Sequence, residues 1–339
     1  MNNEGTLNEK KSLFIGLIII TIVASLVSIT IGAASITPFK VIEVILNKFI
    51  GNINDSILQK IIWDIRMPRI ILAALVGIGL SVTGTSFQGI FKNSMADPYV
   101  LGISSGAALG ATISIVYKLE TKGALVTTLC AFIGAILTIF IVYNIARVGN
   151  KIPTTTLLLA GIALNFFMSS LISMSMILHK EAIDRIVYWT MGSLGNASYK
   201  QIYFLAPIVI IITFIFYYNY RALNIMAAGE ESAYILGIDS EKFKKKMIVL
   251  SSIMVAAIVS VSGIIGFVGL IVPHIARLIV GANHREVIPF SMVLGALFLI
   301  ICDALARGIM PPIELPVGAV TSCFGAPYFM YLLWKKKRG

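Results

Sequence analysis

Three histidines, three cysteines and sixteen carboxylates are the side chains from which this 339-residue chain would have to build a catalytic or metal site. His179 and His284 stand in polar connections, and His274 follows Pro273 inside an apolar run, so there is no HExxH pair and no two histidines fall at metal spacing. Cys130, Cys302 and Cys323 lie in apolar runs without CxxC or CxxH spacing, which argues against a zinc site and against a disulfide framework. GISSG at Gly102 to Gly106 matches GxSxG only as a string, at the start of an apolar run and without the strand that a nucleophile elbow needs before it, and no GxxxxGK[ST] loop occurs. The sequence therefore predicts no catalytic group, no metal ligands and no cofactor, and any ATP-driven work needs the ATPase of another chain.

The scaffold around these residues is that of a membrane protein. Hydrophobic residues make up 58% of the chain and charged residues 13%, too few to cover a soluble domain of this size. The net charge of +11 could suggest nucleic acid, but in a membrane chain it concerns which side the cations occupy, and no nucleic-acid partner is expected. A spanning helix needs about 20 apolar residues. Such runs occur at 12–35, 68–87, 98–117, 123–146, 154–178, 202–220, 243–281, 288–306 and 316–334. Met247 to Gly281 would extend about 52 Å as one helix, beyond a hydrocarbon core of about 30 Å. A break near Gly263 to Gly266 gives about ten spans in an all-α polytopic domain covering 1–339. An even count puts both termini on one side. Lys10 and Lys11 at the front and Lys335 to Arg338 at the back make that side cytoplasmic. Prolines at 68, 98 and 153 mark span entrances.

Three features depart from a plain bundle. Arg66, Arg69 and Arg307 flank spans on the side where cations are disfavoured. They either pair locally with Asp64, Asp303 or Glu314, or form a docking patch for an acidic partner. The longest cytoplasmic loop, 221–246, holds Gly229, Glu230, Glu231, Ser232, Ala233, Tyr234, Ile235, Leu236 and Gly237, the pattern of a very short helix with acids in its first turn and a glycine stop. Its apolar residues either rest on membrane lipid or fill a groove on a cytoplasmic partner. In the fifth span Gly161, Asn165, Ser169 and Ser173 recur every four residues, near one helix face. That face serves either helix packing or a polar pathway.

The order of several motifs is more specific than any one of them: Arg66-Met67-Pro68-Arg69; Asn93 to Pro98 (NSMADP) leading to Leu101 to Ala107 (LGISSGA); Leu157 to Gly161 (LLLAG); Gly192-Ser193-Leu194; Gly266 to Arg277 (GFVGLIVPHIAR); and Glu314 to Gly318 (ELPVG), then Gly325 to Pro327. From about Arg66 to Leu333 the chain resembles the FecCD-type permease subunits of ABC importers for iron-siderophore complexes, haem and cobalamin. The resemblance implies the type II importer permease fold and a second permease subunit, identical or paralogous, around a central pathway. It also implies two cytoplasmic ABC ATPase subunits and an extracytoplasmic solute-binding protein. Arg66, Arg69 and Arg307 match family positions that face acids of the binding protein. Gly229 to Gly237 matches the coupling helices. Thr154 and Thr155 fall at the inner gate, where Thr156 replaces a basic residue of some relatives.

The expected function is thus import through a plasma-membrane permease, with an iron(III)-siderophore or related chelate as cargo and cobalamin or haem as the alternative. A proton- or sodium-coupled carrier should hold an ionisable group deep in a span, yet the acids cluster at span ends. An intramembrane enzyme should show paired catalytic side chains.

Overall fold

The computed structural model describes residues 3–32, 36–49, 57–123, 125–149 and 153–338. Among them the architecture is helical, without β-strands. The chain runs through α1 (Asn3–Thr30), α2 (Pro38–Phe49), α3 (Ile57–Lys60), a π-helical stretch Ile61–Arg66, α4 (Met67–Ile90), α5 (Ile103–Val116), α6 (Val126–Ala146) and α7 (Thr154–Leu178). It continues through α8 (Ile183–Thr190), α9 (Tyr199–Tyr218), α10 (Tyr220–Ala228), α11 (Glu230–Ile235), α12 (Ser240–Ser262), α13 (Val268–Val280), α14 (His284–Gly308) and α15 (Val317–Arg338). Among the described residues seven helical stretches are long and apolar enough to cross a bilayer, and α5, α13 and the apolar part of α15 are shorter. Together they are the ten spans counted in the sequence.

The long run 243–281 breaks where its glycines fall. α12 ends at Ser262, Gly263 takes φ +66°, and α13 begins at Val268. Pro68 behaves differently from the expectation of a span entrance, because one helix of 34 residues, Ile57–Ile90, runs through it. Proline cannot donate to the carbonyl four residues back. The π-helical stretch just before it, in which Met67 N–H reaches Ile62 O, absorbs the missing bond. The amphipathic α2, with Val41 buried and Phe39 exposed, lies where no helix was expected.

Burial ranks the spans. The most apolar windows of Ile57–Ile90, α12 and α14 are 78%, 72% and 61% buried, against 11–33% for α1, α6, α7 and α9. The first three form the centre, and the others turn aliphatic side chains outward, as lipid-facing helices do. Several hydroxyls inside the centre bond back to their own helix, as in Thr85 Oγ1 to Ser81 O (2.9 Å) and Ser252 Oγ to Ile248 O (2.7 Å), while Thr83 Oγ1 and Ser251 Oγ are buried without a hydrogen-bond partner among the described residues. Lys10 pairs with Glu286 at 2.6 Å, while Arg307 reaches Ile31 O at 2.8 Å, so α1 and α14 run parallel. The end bearing Lys10 and His284 is termed the near end, and that bearing Arg307 the far end.

Candidate functional site

At the far end the three arginines point inward. Arg66, Arg69 and Arg307 are 5%, 4% and 3% exposed. Arg69 Nε donates to Asp303 Oδ1 at 2.9 Å and Arg307 Nε to Asp303 Oδ2 at 3.1 Å, so one fully buried carboxylate holds two guanidinium groups. Arg69 Nη1 donates to Glu314 Oε2 at 2.7 Å, and Arg307 Nη2 to Ser28 Oγ at 2.7 Å. Arg66 Nη1 donates to Ile29 O. Of the two readings left open by the sequence, Arg69 and Arg307 take local pairing, with Asp303 and Glu314, and Arg66 bonds to a carbonyl, so all three are buried. The physical reason is that an unpaired guanidinium beside hydrocarbon is far more costly than one held by carboxylates and carbonyls. The Glu314 side chain is 46% exposed, so the cluster does meet the surface, through an acid.

The same two helices meet along their whole length. From Arg69 and Asp303 the antiparallel seam of α4 and α14 passes through Gly77 and Gly295, where a Cβ on either would collide with the carbonyl of the other. It continues through Ser81 Oγ, which donates to Ser291 O at 2.7 Å, and Thr85 Oγ1, which lies within hydrogen-bond distance of the Ser291 hydroxyl at 3.1 Å. It ends at Gly89, where a Cβ would stand 2.8 Å from His284 Nε2. Arg69 to Gly89 covers about 30 Å of helix, the thickness of the hydrocarbon core.

At the near end α10 buries Leu223 and Met226, and α11 buries Ala233. Tyr234, Ile235 and Leu236 stand 83%, 77% and 63% exposed. α11 stops at Gly237, whose φ of +75° allows Ile238 N–H to reach back to Ala233 O at 2.8 Å, the capping turn the sequence suggested. Gly229 caps the start, and the Glu230 side chain lies outside the described residues.

On α7, Asn165, Ser169 and Ser173 are exposed, and Ser169 and Ser173 share an open surface of that helix with Phe166 and Met174. Gly161 does not share that face. It is buried where a Cβ would collide with Val100 O, so it serves close packing against the turn Pro98–Leu101. Thr154 is half-buried and Thr155 exposed at the start of α7.

Sequence reading missed two groupings. Gly192, Gly263 and Gly318 meet at one far-end junction: a Cβ at Gly263 would strike Trp189 O, one at Gly192 would strike Ile264 O, and one at Gly318 would strike Met191 O. The motif glycines thus bring α8, the break after α12 and the start of α15 together. The second grouping is Asn224, Asn283 and His284 at the near end, separated by about 60 residues in sequence, for which no local signal exists. Among the described residues no group of three His, Cys, Asp or Glu is placed to hold a metal ion.

Ten apolar helices among the described residues, with an exposed apolar knob at one end, a buried ion cluster at the other and a neutral polar helix face between them, make up a membrane chain of the transport permease class. Residues 19–335 match the FecCD transport family, and the chain belongs to it. It is 40% identical to the cobalamin import system permease protein BtuC of Halobacterium salinarum, over 81% of this chain and 73% of that one. It is 36% identical to the hemin transport system permease protein HmuU of Yersinia pestis, over 95% of each. A solved structure described as an inward-facing metal-chelate type ABC transporter superposes with a TM-score of 0.84 at 29% identity, covering 96% of this chain and 99% of that one. The protein is a multi-pass permease subunit of an ABC importer, a family that works with ATPase and binding-protein partners.

Proposed function

We propose that the chain imports an iron(III) chelate of the siderophore or haem type across the plasma membrane, with both termini in the cytoplasm. The near end then faces the ATPases, and the far end faces the binding protein. The observation that carries the cargo assignment is the end-to-end agreement with the metal-chelate type transporter, at a TM-score of 0.84 over 96% of the chain. The α7 face supports it chemically. Asn165, Ser169 and Ser173 offer neutral amide and hydroxyl groups that hydrogen-bond the periphery of a chelate and supply no ligand set for a bare ferric ion. α7 exposes most of its length, which suits a second permease subunit, identical or paralogous, facing it across a shared pathway. Tyr234, Ile235 and Leu236 fill a groove on the ATPase, and the binding protein docks on the far-end surface around Glu314, above the buried arginines.

The cobalamin reading is favoured by the higher identity of the Halobacterium relative, although that match covers less of both chains. The test is ATP-dependent uptake into proteoliposomes holding the permease, its ATPase and its binding protein. Ferric hydroxamate, hemin and cobalamin are offered separately. Uptake of either iron compound and not cobalamin is expected; uptake of cobalamin alone overturns the cargo assignment.

A further inference from the structure

We infer that Asn224 is a positioning residue which joins the α10–α11 segment to the α4–α14 pair, so that motion delivered at Tyr234 to Leu236 is transmitted to the far end through one rigid strut. This rests on the reading of α11 as the ATPase contact.

The geometry has three parts. The first is the joint. Asn224, on α10, accepts at Oδ1 from the backbone N–H of His284 (2.8 Å) and lies 2.7 Å from His284 Nδ1, while its Nδ2 donates to Asn283 Oδ1 (2.8 Å). Helix starts leave backbone N–H groups without intrahelical partners. His284 begins α14, so a side chain from another element satisfies one of these groups from outside. Asn283 Oδ1 also accepts from Arg285 N–H at 3.0 Å, so the amide of Asn224 grips both the cap residue and the first residue of α14. Leu223 and Met226, buried on either side of Asn224 in α10, keep the amide facing this way.

The second part is the strut. His284 is 3% exposed and its ring fills the space left by Gly89 of α4, so displacing His284 displaces α4 as well as α14. Gly77 and Gly295 press backbone on backbone, and Ser81 and Thr85 cross-link to Ser291. Packed interiors transmit displacement because they have no slack. The third part is the far terminus, where Asp303 of α14 holds Arg69 of α4 and Arg307. The strut therefore starts at the ATPase-facing joint and ends in the ion cluster beneath the docking surface.

The test uses the full permease co-purified with its ATPase in nanodiscs and compares hydrogen exchange without nucleotide and after trapping with ATP and vanadate. The wild type is expected to show a nucleotide-dependent change at the start of α14 and around Asp303. In Asn224→Leu, close in size but without an acceptor, that change should fall about tenfold with the ATPase still bound, since three hydrogen bonds are lost together. Asn224→Asp has the same size, keeps both acceptor contacts to His284 and loses the donor to Asn283, so it should retain more of the change than Asn224→Leu, whereas a purely space-filling role predicts no loss in either variant. His284→Ala removes the ring contact and leaves the backbone bond, so it gives a partial loss and an independent reading should Asn224→Leu not fold. A wild-type change confined to α10 and α11, or an undiminished change in Asn224→Leu or His284→Ala, overturns the strut. A wild-type chain that retains no ATPase overturns the reading of α11 itself, and the inference with it.

Discussion

Replacing Asp303 with asparagine changes one atom and removes the charge on which two buried cations depend. Arg69 Nε and Arg307 Nε lie 2.9 and 3.1 Å from separate oxygens of that carboxylate, and all three side chains are 5% exposed or less. An amide can accept from only one of the two guanidinium groups and must turn its NH2 toward the other. Breaking a buried pair by neutralising one partner costs about 3–5 kcal/mol, because the remaining charge stays desolvated. The partly exposed Glu314 offsets little of this, since exposed partners contribute up to roughly 1 kcal/mol. The expected result for Asp303→Asn is a fall in the melting temperature of the purified permease on the order of 5–10 °C, scaling from about 2 °C per kcal/mol for chains of this size. Glu314→Gln should fall by about 2 °C or less on the same scale and should mainly alter docking of the binding protein. Removing the whole buried set, as Arg69→Met, Asp303→Leu and Arg307→Met together, should recover most of the stability, since well-packed apolar groups replace buried ion clusters at little cost. A melting temperature for Asp303→Asn within a degree of wild type would refute the claim that one carboxylate holds both arginines. The measurement is thermal unfolding followed by tryptophan fluorescence in nanodiscs.

Truncating Tyr234, Ile235 and Leu236 together to alanine should release the ATPase on purification, since interface anchors each contribute about 2 kcal/mol or more; full retention of the ATPase with normal uptake would leave these residues resting on lipid. Cysteines at Asn165, Ser169 and Ser173, in a background without Cys130, Cys302 and Cys323, should react with a membrane-impermeant thiol reagent, whereas a cysteine at Leu159 should not, because the thiolate needs water; equal labelling of all four would remove the pathway from this face. Asp97, in the connection between α4 and α5, accepts from Tyr99 N–H at 2.9 Å, and burial pushes its carboxyl up to about 6. The folded chain therefore holds this proton more tightly than the unfolded chain does, stability should decline as pH rises from about 4 to 6 and level off above that, and Asp97→Asn should flatten the decline in a pH series of melting temperatures.

The spans were legible because their signals are local. Apolar runs of membrane length and the glycines at 263 and 266 located the helices and the break in the longest run. The helix continuing through Pro68 was less so, since a π-helical accommodation depends on what the neighbouring helices hold in place. Burial of the arginines had a signal that charge alone concealed. Arg69 stands four, seven and eleven residues before Ala73, Val76 and Leu80, all buried, so it extends their inward stripe by one turn. Gly295, Leu299, Asp303 and Arg307 follow one another at intervals of four on α14. Two inward stripes, each ending at the same membrane face with opposite charges among their last members, predict a buried pair rather than two exposed cations. Asn224 and His284 carry no equivalent signal. Neither belongs to a long periodic stripe, and their contact exists only because α10 folds back beneath α14. The elements that span the membrane can thus be read from periodicity, while the joint proposed to make them move together needs the tertiary structure, because it lies at helix ends where periodicity stops.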